Sequence, residues 1–236
     1  METTLDGIRD LKLYQNKNGY RFSVDPLLLH SFVNVRYARE IIDLGAGSGI
    51  IGLLLARKYA GANVQLVELQ KSLYRLAKRN ILLNGLENRV GVLLTDIKQI
   101  STVVPPLSYD LAVSNPPFRK PASGRINTAE EKAVARHEIK LKLPELAESA
   151  SYLLKTRGRF FMIFHPERIL EVVDALRRWR LEPKRIRFVH NDTDSGSKIV
   201  LVEAVKEGRA GVKIEKPLFI YNRDGSYTDE VREMYG

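Results

Sequence analysis

A glycine-rich turn is the first segment of the chain whose residue types could bind a ligand. It separates a short apolar stretch from a helix-like one and reads Asp43-Leu44-Gly45-Ala46-Gly47-Ser48-Gly49. Glycines at such a turn let the backbone bend tightly and let a ligand approach the main chain at the N-terminus of the following helix. The dinucleotide fingerprint G-x-G-x-x-G would require glycine at position 50, where this chain has Ile50. The turn therefore predicts a ligand site and argues against a bound dinucleotide.

The spacing of an acid and three alternating glycines resembles motif I of the Rossmann-like class I methyltransferases. Two more acids, Glu68 and Asp96, end the second and third predicted strands, and ligands of open parallel sheets lie at the carboxyl ends of the strands. For the cofactor S-adenosylmethionine, Glu68 could accept both ribose hydroxyls and Asp96 the adenine amino group. Either acid alone is more often a strand-end cap. The cofactor residues predicted here are Asp43, Gly45, Ala46, Gly47, Gly49, Glu68 and Asp96.

A second motif follows the fourth predicted strand and reads Ser114-Asn115-Pro116-Pro117-Phe118. Asn115 offers a side-chain carbonyl, Pro116 a backbone carbonyl and Phe118 an aromatic face. Hydrogen bonds to both hydrogens of a planar exocyclic amine favour its pyramidal, nucleophilic form, while stacking fixes the angle of attack. The motif resembles motif IV of amino-methyltransferases that act on adenine N6, cytosine N4, guanine N2 or glutamine amide nitrogen. The predicted catalytic residues are Asn115, Pro116, Pro117 and Phe118, with Asn115 also beside the cofactor.

Alternating strand-like and helix-like segments would position these motifs. Strands are predicted over residues 40–44, 64–68, 90–95, 109–114, 159–164, 185–190 and 199–205, and helices over 50–59, 70–84, 143–154 and 166–180. The last two strands have no helix between them, so they are expected to pair antiparallel. The pattern predicts an α/β protein with a seven-stranded mixed sheet, helices on both faces and an antiparallel last strand.

Composition and charge limit the class of protein. With 236 residues, 44% of them hydrophobic, the chain can form a substantial core, and the lack of cysteine excludes disulfides and zinc–thiolate sites. No metal site is expected. The N-terminus has no signal-peptide pattern, and the longest apolar stretch is too short for a membrane helix, so a cytoplasmic protein is predicted.

The net charge of +10 suggests a polyanionic partner. Residues 119–142 carry seven basic and three acidic side chains, and residues 155–187 carry ten and four. By contrast, residues 188–236 carry seven basic and nine acidic side chains. The distribution therefore favours nucleic-acid contacts through the first two segments, although solubility alone could explain a basic chain.

The resemblance to one family extends beyond the two motifs. It is carried by residues 20–29 (YRFSVDPLLL), Asn115 to Phe118, residues 135–138 (ARHE), residues 181–186 (LEPKRI) and Tyr227-Thr228. Together they resemble the bacterial tRNA1(Val) adenine N6-methyltransferase family. Relatives commonly have tyrosine and phenylalanine after the two prolines, whereas Phe118 is followed here by Arg119. The chain departs from the family at that point.

This resemblance implies S-adenosylmethionine as cofactor and an adenine near the anticodon of a tRNA, or another RNA, as acceptor. It suggests that Asp25 lies on a segment that closes over the cofactor, although Asp25-Pro26 could equally be a helix N-cap. Arg119, Lys120 and Arg125 follow the acceptor motif directly and are predicted phosphate contacts. Arg136 could also meet RNA, but an Arg-His-Glu run is more often a salt-linked helix face.

The predicted organisation has three parts. Residues 1–38 would close over the cofactor site, residues 39–207 would form the methyltransferase domain, and residues 208–236 would pack on it as an appendage. RNA is the expected partner of a monomeric enzyme without a membrane contact. Two alternatives stay open: a guanine N2 or protein glutamine N5 methyltransferase, and a noncatalytic RNA-binding protein on the same fold.

Overall fold

A mixed β-sheet carries the glycine turn and the acceptor motif. The structure, a computed structural model, describes residues 3–16, 24–116 and 142–236. Its strands are β1 (Thr3–Ile8), β2 (Leu11–Asn16), β3 (Glu40–Leu44), β4 (Asn63–Glu68), β5 (Val90–Leu94), β6 (Tyr109–Ser114), β7 (Leu154–Phe164), β8 (Leu181–His190), β9 (Ser197–Lys206), β10 (Lys213–Ile214) and β11 (Leu218–Phe219). Its α-helices are α1 (Asp25–Phe32), α2 (Ile50–Lys58), α3 (Lys71–Leu83), α4 (Leu143–Leu153), α5 (Ile169–Arg178) and α6 (Asp229–Tyr235). Short 3₁₀ helices cover Ile97–Thr102 and Pro166–Arg168.

The strand order in the main sheet is β10-β8-β9-β7-β6-β3-β4-β5, with β11 also paired to β8. Strands β3 to β7 are parallel, and β9 is antiparallel to both of its neighbours, β7 and β8. The predicted mixed sheet with an antiparallel last strand is therefore confirmed. The predicted count of seven was incomplete, because the two-residue strands β10 and β11 extend the β8 edge and are too short to show periodicity.

Two of the predicted strand starts were wrong. Strands β7 and β8 begin at Leu154 and Leu181, several residues before the predicted starts at 159 and 185. Charged residues and Gly158 interrupt the apolar alternation in the first part of β7, where its register with β6 also shifts. Backbone pairing with neighbouring strands extends these elements beyond their apolar segments.

The core has a layer on each face of the sheet. Successive residues of β3 point to opposite faces, so Ile41 packs in the layer with α1, α2 and α3 while Ile42 packs in the layer with α4 and α5. Both side chains are fully buried. Because helices cover both faces, the carboxyl edge of the sheet is where a ligand can reach the strand ends.

Two peripheral segments pack on this core. The β1–β2 hairpin lies against α3, where the amide of Asn80 bonds to both the N–H and the carbonyl of Tyr14. At the other end of the chain, Val231 and Met234 of α6 are buried in the layer that contains α1. The predicted division at residues 38 and 207 stays a prediction. Among residues 3–16, 24–116 and 142–236, no helix has the length and apolar composition needed to cross a membrane.

Candidate cofactor and acceptor site

The glycine turn joins β3 to α2 through backbone conformations that favour glycine. Gly45, Gly47 and Gly49 have φ angles of +81°, +59° and +89°, in the region that side chains with a Cβ adopt only at a cost. The N–H groups of Gly45 and Ala46 both donate to the carbonyl of Val67 in β4, at 3.0 and 2.9 Å. The turn is thereby anchored to the end of the neighbouring strand.

Two of these glycines have different surroundings. A Cβ on Gly49 would lie 3.0 Å from Leu66 Cδ1, so this glycine lets α2 approach the sheet closely. A Cβ on Gly47 would meet no atom within 4 Å. Gly47 therefore borders open space at the start of α2, where a ligand could lie against the backbone.

Glu68 connects the end of β4 to this turn. Its Oε2 accepts a hydrogen bond from the N–H of Gly47 at 2.9 Å, and its Oε1 accepts from the N–H of Gln70 at 2.6 Å. Only 5% of the residue is exposed. The carboxylate thus lies at the turn, where the sequence predicted it, and its contact with the ribose stays a prediction.

Asp43 lies beneath the turn with no exposed surface. Its Oδ2 accepts from the N–H of Gly52 in α2 at 3.1 Å, whereas Oδ1 has no hydrogen-bond partner among the described residues. Burial raises the pKa of Asp43 to about 7; the bond from Gly52 opposes this shift, and the charge of Glu68 adds to it. Asp43 therefore orients the first turn of α2, and its direct contact with a cofactor stays a prediction.

Asp96 caps the 3₁₀ helix that follows β5. Its Oδ1 accepts a hydrogen bond from the N–H of Lys98 at 3.0 Å. Asp96 therefore has the strand-end capping role that was predicted from the sequence as the alternative to cofactor binding. The next residue brings this segment to the turn, because Ile97 Cδ1 lies 3.9 Å from where a Cβ on Gly45 would be. Ile97 was not among the predicted site residues, since an isolated apolar residue after a strand gives no functional signal.

These features fit an S-adenosylmethionine molecule. The cofactor carries positive charge, and Asp43 and Glu68 lie at two adjacent strand ends beside a turn whose backbone is accessible at Gly47. The unpartnered Oδ1 of Asp43 adds acceptor capacity under the same turn. Among the described residues, no group of acids and histidines is arranged to hold a metal ion.

The acceptor motif begins at the end of β6, next to β3 in the sheet. The hydroxyl of Ser114 is fully buried and donates to the carbonyl of Leu44 at 2.7 Å. This bond joins Ser114 at the end of β6 to Leu44 at the end of β3. The next residue, Asn115, is half-buried, and Pro116 after it is buried. Nothing in the sequence indicated this contact of Ser114, because its partner is 70 positions away in the chain.

Several predicted site residues lie outside the described residues: Pro117, Phe118, Arg119, Lys120, Arg125 and Arg136. Asp25 is described and is half-buried at the first position of α1. The N-cap of that helix is Val24, so Asp25 is not the cap that the sequence allowed as an alternative. Its place in a cofactor-closing segment stays a prediction.

The basic side chains of residues 155–187 are largely neutralised by acids of the same protein. Seven of the ten form ion pairs: Lys155, Arg159, Arg168, Arg177, Arg180, Arg185 and Arg187. Arg185, for example, pairs with Glu203 at 2.7 Å and with Glu215 at 3.3 Å. This segment therefore offers fewer available cations for phosphate than its composition suggested.

Comparison with known proteins gives a family for the chain. A family model described as "Methyltransferase small domain" matches residues 24–176. A tRNA1(Val) (adenine(37)-N6)-methyltransferase from Tolumonas auensis is 32% identical over 72% of this chain and 73% of its own length. The protein of the same name from Pedobacter heparinus is 28% identical over 96% of this chain and 94% of its own length.

The fold has a close counterpart among solved structures. A crystal structure of a predicted O-methyltransferase from Agrobacterium tumefaciens superposes with a TM-score of 0.72, at 23% identity, over 89% of this chain and 95% of that one. The fold is thus that of a class I methyltransferase. Given the glycine turn, the acids around it and the extent of these matches, the chain belongs to the methyltransferase small domain family and, within it, to the tRNA1(Val) (adenine(37)-N6)-methyltransferases.

Proposed function

We propose that this protein transfers the methyl group of S-adenosylmethionine to N6 of an adenine in tRNA, near the anticodon. One observation carries the proposal: the Ser114 hydroxyl joins the strand end before Asn115 to the strand end before the glycine turn. An acceptor amine bound at Asn115 would therefore lie beside a ligand bound at the turn. The relatives named above act on adenine 37 of tRNA1(Val), which supports the choice of amine.

Residues of this chain would hold the cofactor and orient the amine. The cofactor supplies an electrophilic methyl group. The open backbone at Gly47 and the carboxylate of Glu68 would hold it, while Asp43 keeps the first turn of α2 in place. The side-chain carbonyl of Asn115 and the backbone carbonyl of Pro116 would accept the two hydrogens of the amine, favouring its pyramidal geometry. Asn115 would act as an acceptor without removing a proton. As the N–C bond forms, the S–C bond of the cofactor breaks and S-adenosylhomocysteine leaves; the methylated amine then loses its extra proton to solvent, so no strong general base is needed in the transfer step.

A tRNA substrate agrees with the charge of the chain. The anticodon loop presents unpaired bases that can be turned into a pocket at low cost. Residues 119–142, which follow the acceptor motif, carry a net charge of +4. The basic residues of 155–187 are mostly ion-paired, so we infer that phosphate contacts concentrate on the former segment. A tRNA substrate would also place the enzyme in the cytoplasm.

The direct test is methylation of bulk tRNA from a strain that lacks the enzyme, with radiolabelled S-adenosylmethionine and analysis of the nucleosides formed. The expected product is N6-methyladenosine. Label in N2-methylguanosine, or in protein when bulk protein replaces the RNA, would support the alternative acceptors instead. An absence of labelled product at saturating cofactor would favour the noncatalytic RNA-binding alternative.

Asn115→Ala tests the role of the acceptor motif. Losing one preorganised hydrogen bond at the reacting amine should lower kcat by about 10²-fold or more while the affinity for S-adenosylmethionine stays unchanged. The matched control is Asn88→Ala. Asn88 is exposed in the loop before β5, at the amino ends of the parallel strands and so away from the acceptor motif. An unaltered kcat in the Asn115 variant would exclude the amine-positioning role.

A further inference from the structure

Three tyrosines near the end of the chain form a continuous stack. The rings of Tyr221 and Tyr227 are 5.2 Å apart and 14° from parallel, and those of Tyr227 and Tyr235 are 5.4 Å apart and 26° from parallel. Tyr227 and Tyr235 pack against the core, whereas Tyr221 ends the stack and is 38% exposed. None of the ring contacts among the described residues covers the outer side of Tyr221. Within the described part of the chain, the stack thus leaves one aromatic face uncovered.

The exposed ring lies at the same edge of the sheet as the acceptor motif. Strand β11 runs parallel to β8, and the chain continues past the end of β8, where the N–H of Tyr221 donates to the carbonyl of Asn191 at 2.7 Å. Strand β8 has the same direction as β7, β6 and β3, since β9 is antiparallel to both β7 and β8. Tyr221 and Asn115 therefore both follow the carboxyl ends of their strands.

The separation between the two residues suits a single RNA-binding surface. Four strand spacings lie between β11 and β6 in the sheet order, which correspond to about 19 Å at roughly 4.8 Å per spacing. A nucleic-acid interface that buries about 1,000 Å² of protein is roughly 36 Å across. Asn115 and Tyr221 therefore fit within one interface of that width.

The segment that carries Tyr221 is held in place before any partner binds. Tyr221 and Tyr227 form a β-bridge around a tight turn, in which the N–H of Asn222 donates to the carbonyl of Ser226 at 2.8 Å. The following helix is anchored through the buried residues Val231 and Met234. An aromatic face that is already oriented loses little entropy when a base stacks on it.

We propose that the exposed face of Tyr221 stacks on an unpaired base of the substrate RNA, a few nucleotides from the adenine that is methylated. The proposal rests on the proposed function. Aromatic rings are the usual platforms for unpaired bases, and stacking does not need a positively charged surface. It therefore fits a segment that is acidic on balance. Arg223, at the tip of the turn, is exposed and makes no ion pair among the described residues, so a phosphate can approach there.

The test is tRNA binding by the full chain over a range of salt concentrations. Tyr221→Ala should weaken binding by about 5- to 100-fold at every salt concentration, with an unchanged slope of log K against log salt, because stacking releases no counterions. Tyr221→Phe, which keeps the aromatic face, should bind within about twofold of the wild type. Tyr221→Leu, which still packs on Tyr227 but has no aromatic face, should bind as weakly as the alanine variant.

The matched control is Tyr37→Ala. Tyr37 is 61% exposed and has Arg39 over its ring, but it precedes β3 and so lies at the opposite edge of the sheet. This variant should bind tRNA as the wild type does, and all variants should stay folded and keep the wild-type S-adenosylmethionine affinity. Wild-type binding by both Tyr221→Ala and Tyr221→Leu would overturn the stacking proposal alone. A wild-type protein that neither binds nor methylates tRNA would overturn the proposed function and this inference together.

A change of oligomeric state in Tyr221→Ala, with unchanged tRNA affinity, would assign the ring to a protein interface and overturn the RNA proposal. Equal weakening of tRNA binding by Tyr221→Ala and Tyr37→Ala would also overturn it, because the loss of an exposed aromatic ring at either end of the strands would then have the same effect.

Discussion

At the scale of single residues, Gly47 and Gly49 show how two glycines of one turn can have different functions. Both have positive φ, but only Gly49 is in close contact with the sheet, while Gly47 borders open space. A side chain at position 47 would therefore occupy the open space where we propose that the cofactor lies, without disturbing the core. The strain of a positive φ would be added in either case.

Gly47→Val should accordingly abolish S-adenosylmethionine binding, measured by calorimetry. The matched control is Gly85→Val, because Gly85 has φ +61°, also has no atom within 4 Å of its Cβ position and follows α3, away from the turn. Both variants should lose similar stability from the strained backbone, on the order of 1–3 kcal/mol, and only the first should lose the cofactor. Wild-type affinity in Gly47→Val would place the cofactor elsewhere.

Asp43 makes the stability of the protein depend on pH in a direction opposite to that of most carboxylates. Its pKa is raised from 3.8 to about 7 by burial, so between these values the unfolded chain releases a proton that the folded chain keeps. Folding is therefore opposed increasingly as the pH rises from about 4 to about 7, and the full cost persists above that range. This cost is on the order of 4 kcal/mol at most.

The Asp43→Asn variant has no ionisable group at position 43. Its free energy of unfolding should therefore increase relative to that of the wild type as the pH rises from 4.5 to 8. Urea unfolding at both pH values gives the difference between the two proteins. Groups such as His30, whose pKa burial lowers to about 4, titrate in both proteins and cancel in this comparison. A difference in stability that is the same at both pH values would contradict the raised pKa.

At the scale of elements, the site depends on how β3 and β6 are held together at their carboxyl ends. The backbone pairing between these strands extends as far as Asp43 and Val113. One position further, the hydroxyl of Ser114 bonds to the carbonyl of Leu44. The side-chain bond thus connects β3 and β6 at the position where the glycine turn and the acceptor motif leave the sheet.

Ser114→Ala should therefore lower kcat by about tenfold or more, since small displacements of reacting groups are costly. It should also destabilise the fold by about 1–3 kcal/mol, because the buried Leu44 carbonyl loses its partner. The control is Ser197→Ala, which removes a hydroxyl that donates to the carbonyl of Val189 at 3.0 Å, away from β3 and β6. That variant should lose stability but keep kcat, and an equal loss of kcat in both would remove the positioning role.

At the scale of the whole molecule, net charge and available charge are different quantities. The basic residues of 155–187 are mostly paired with acids, including Arg177 with Glu182 and Arg187 with Glu230. Pairs on the surface contribute little to stability, but they reduce the field that attracts a polyanion. We therefore expect the basic residues that follow the acceptor motif to contribute more to tRNA binding than those of residues 155–187.

Changing Arg119, Lys120 and Arg125 together to alanine should flatten the plot of log K for tRNA against log salt by about 2–3 units, since each phosphate that is no longer neutralised lowers the slope by about 0.7–0.9. The affinity for S-adenosylmethionine should not change. The control triple variant replaces Arg177, Arg178 and Arg180, which are exposed and of which two are ion-paired, and its slope should stay close to that of the wild type. The reverse pattern would assign the RNA to the α5 surface.

The local features of the site were determined by the sequence itself. The backbone of the turn has positive φ angles at positions 45, 47 and 49, which favour glycine. Because this requirement involves only a few neighbouring residues, it can be recognised in the local sequence. Strand and helix periodicity likewise predicted the mixed sheet, because burial of one side of an element leaves a pattern in its own segment. The acids Asp43 and Glu68 lie beside the glycine turn at the carboxyl ends of their strands, as predicted, and their contact with a cofactor stays a prediction.

Contacts between distant segments were decided only by the tertiary structure. The bond from the Ser114 hydroxyl to the carbonyl of Leu44 and the ion pair of Arg185 with Glu203 each join groups that no local pattern relates. Such contacts depend on the order and register of the strands, and a hydroxyl, a guanidinium or a ring has the same sequence signal whether or not a partner packs against it.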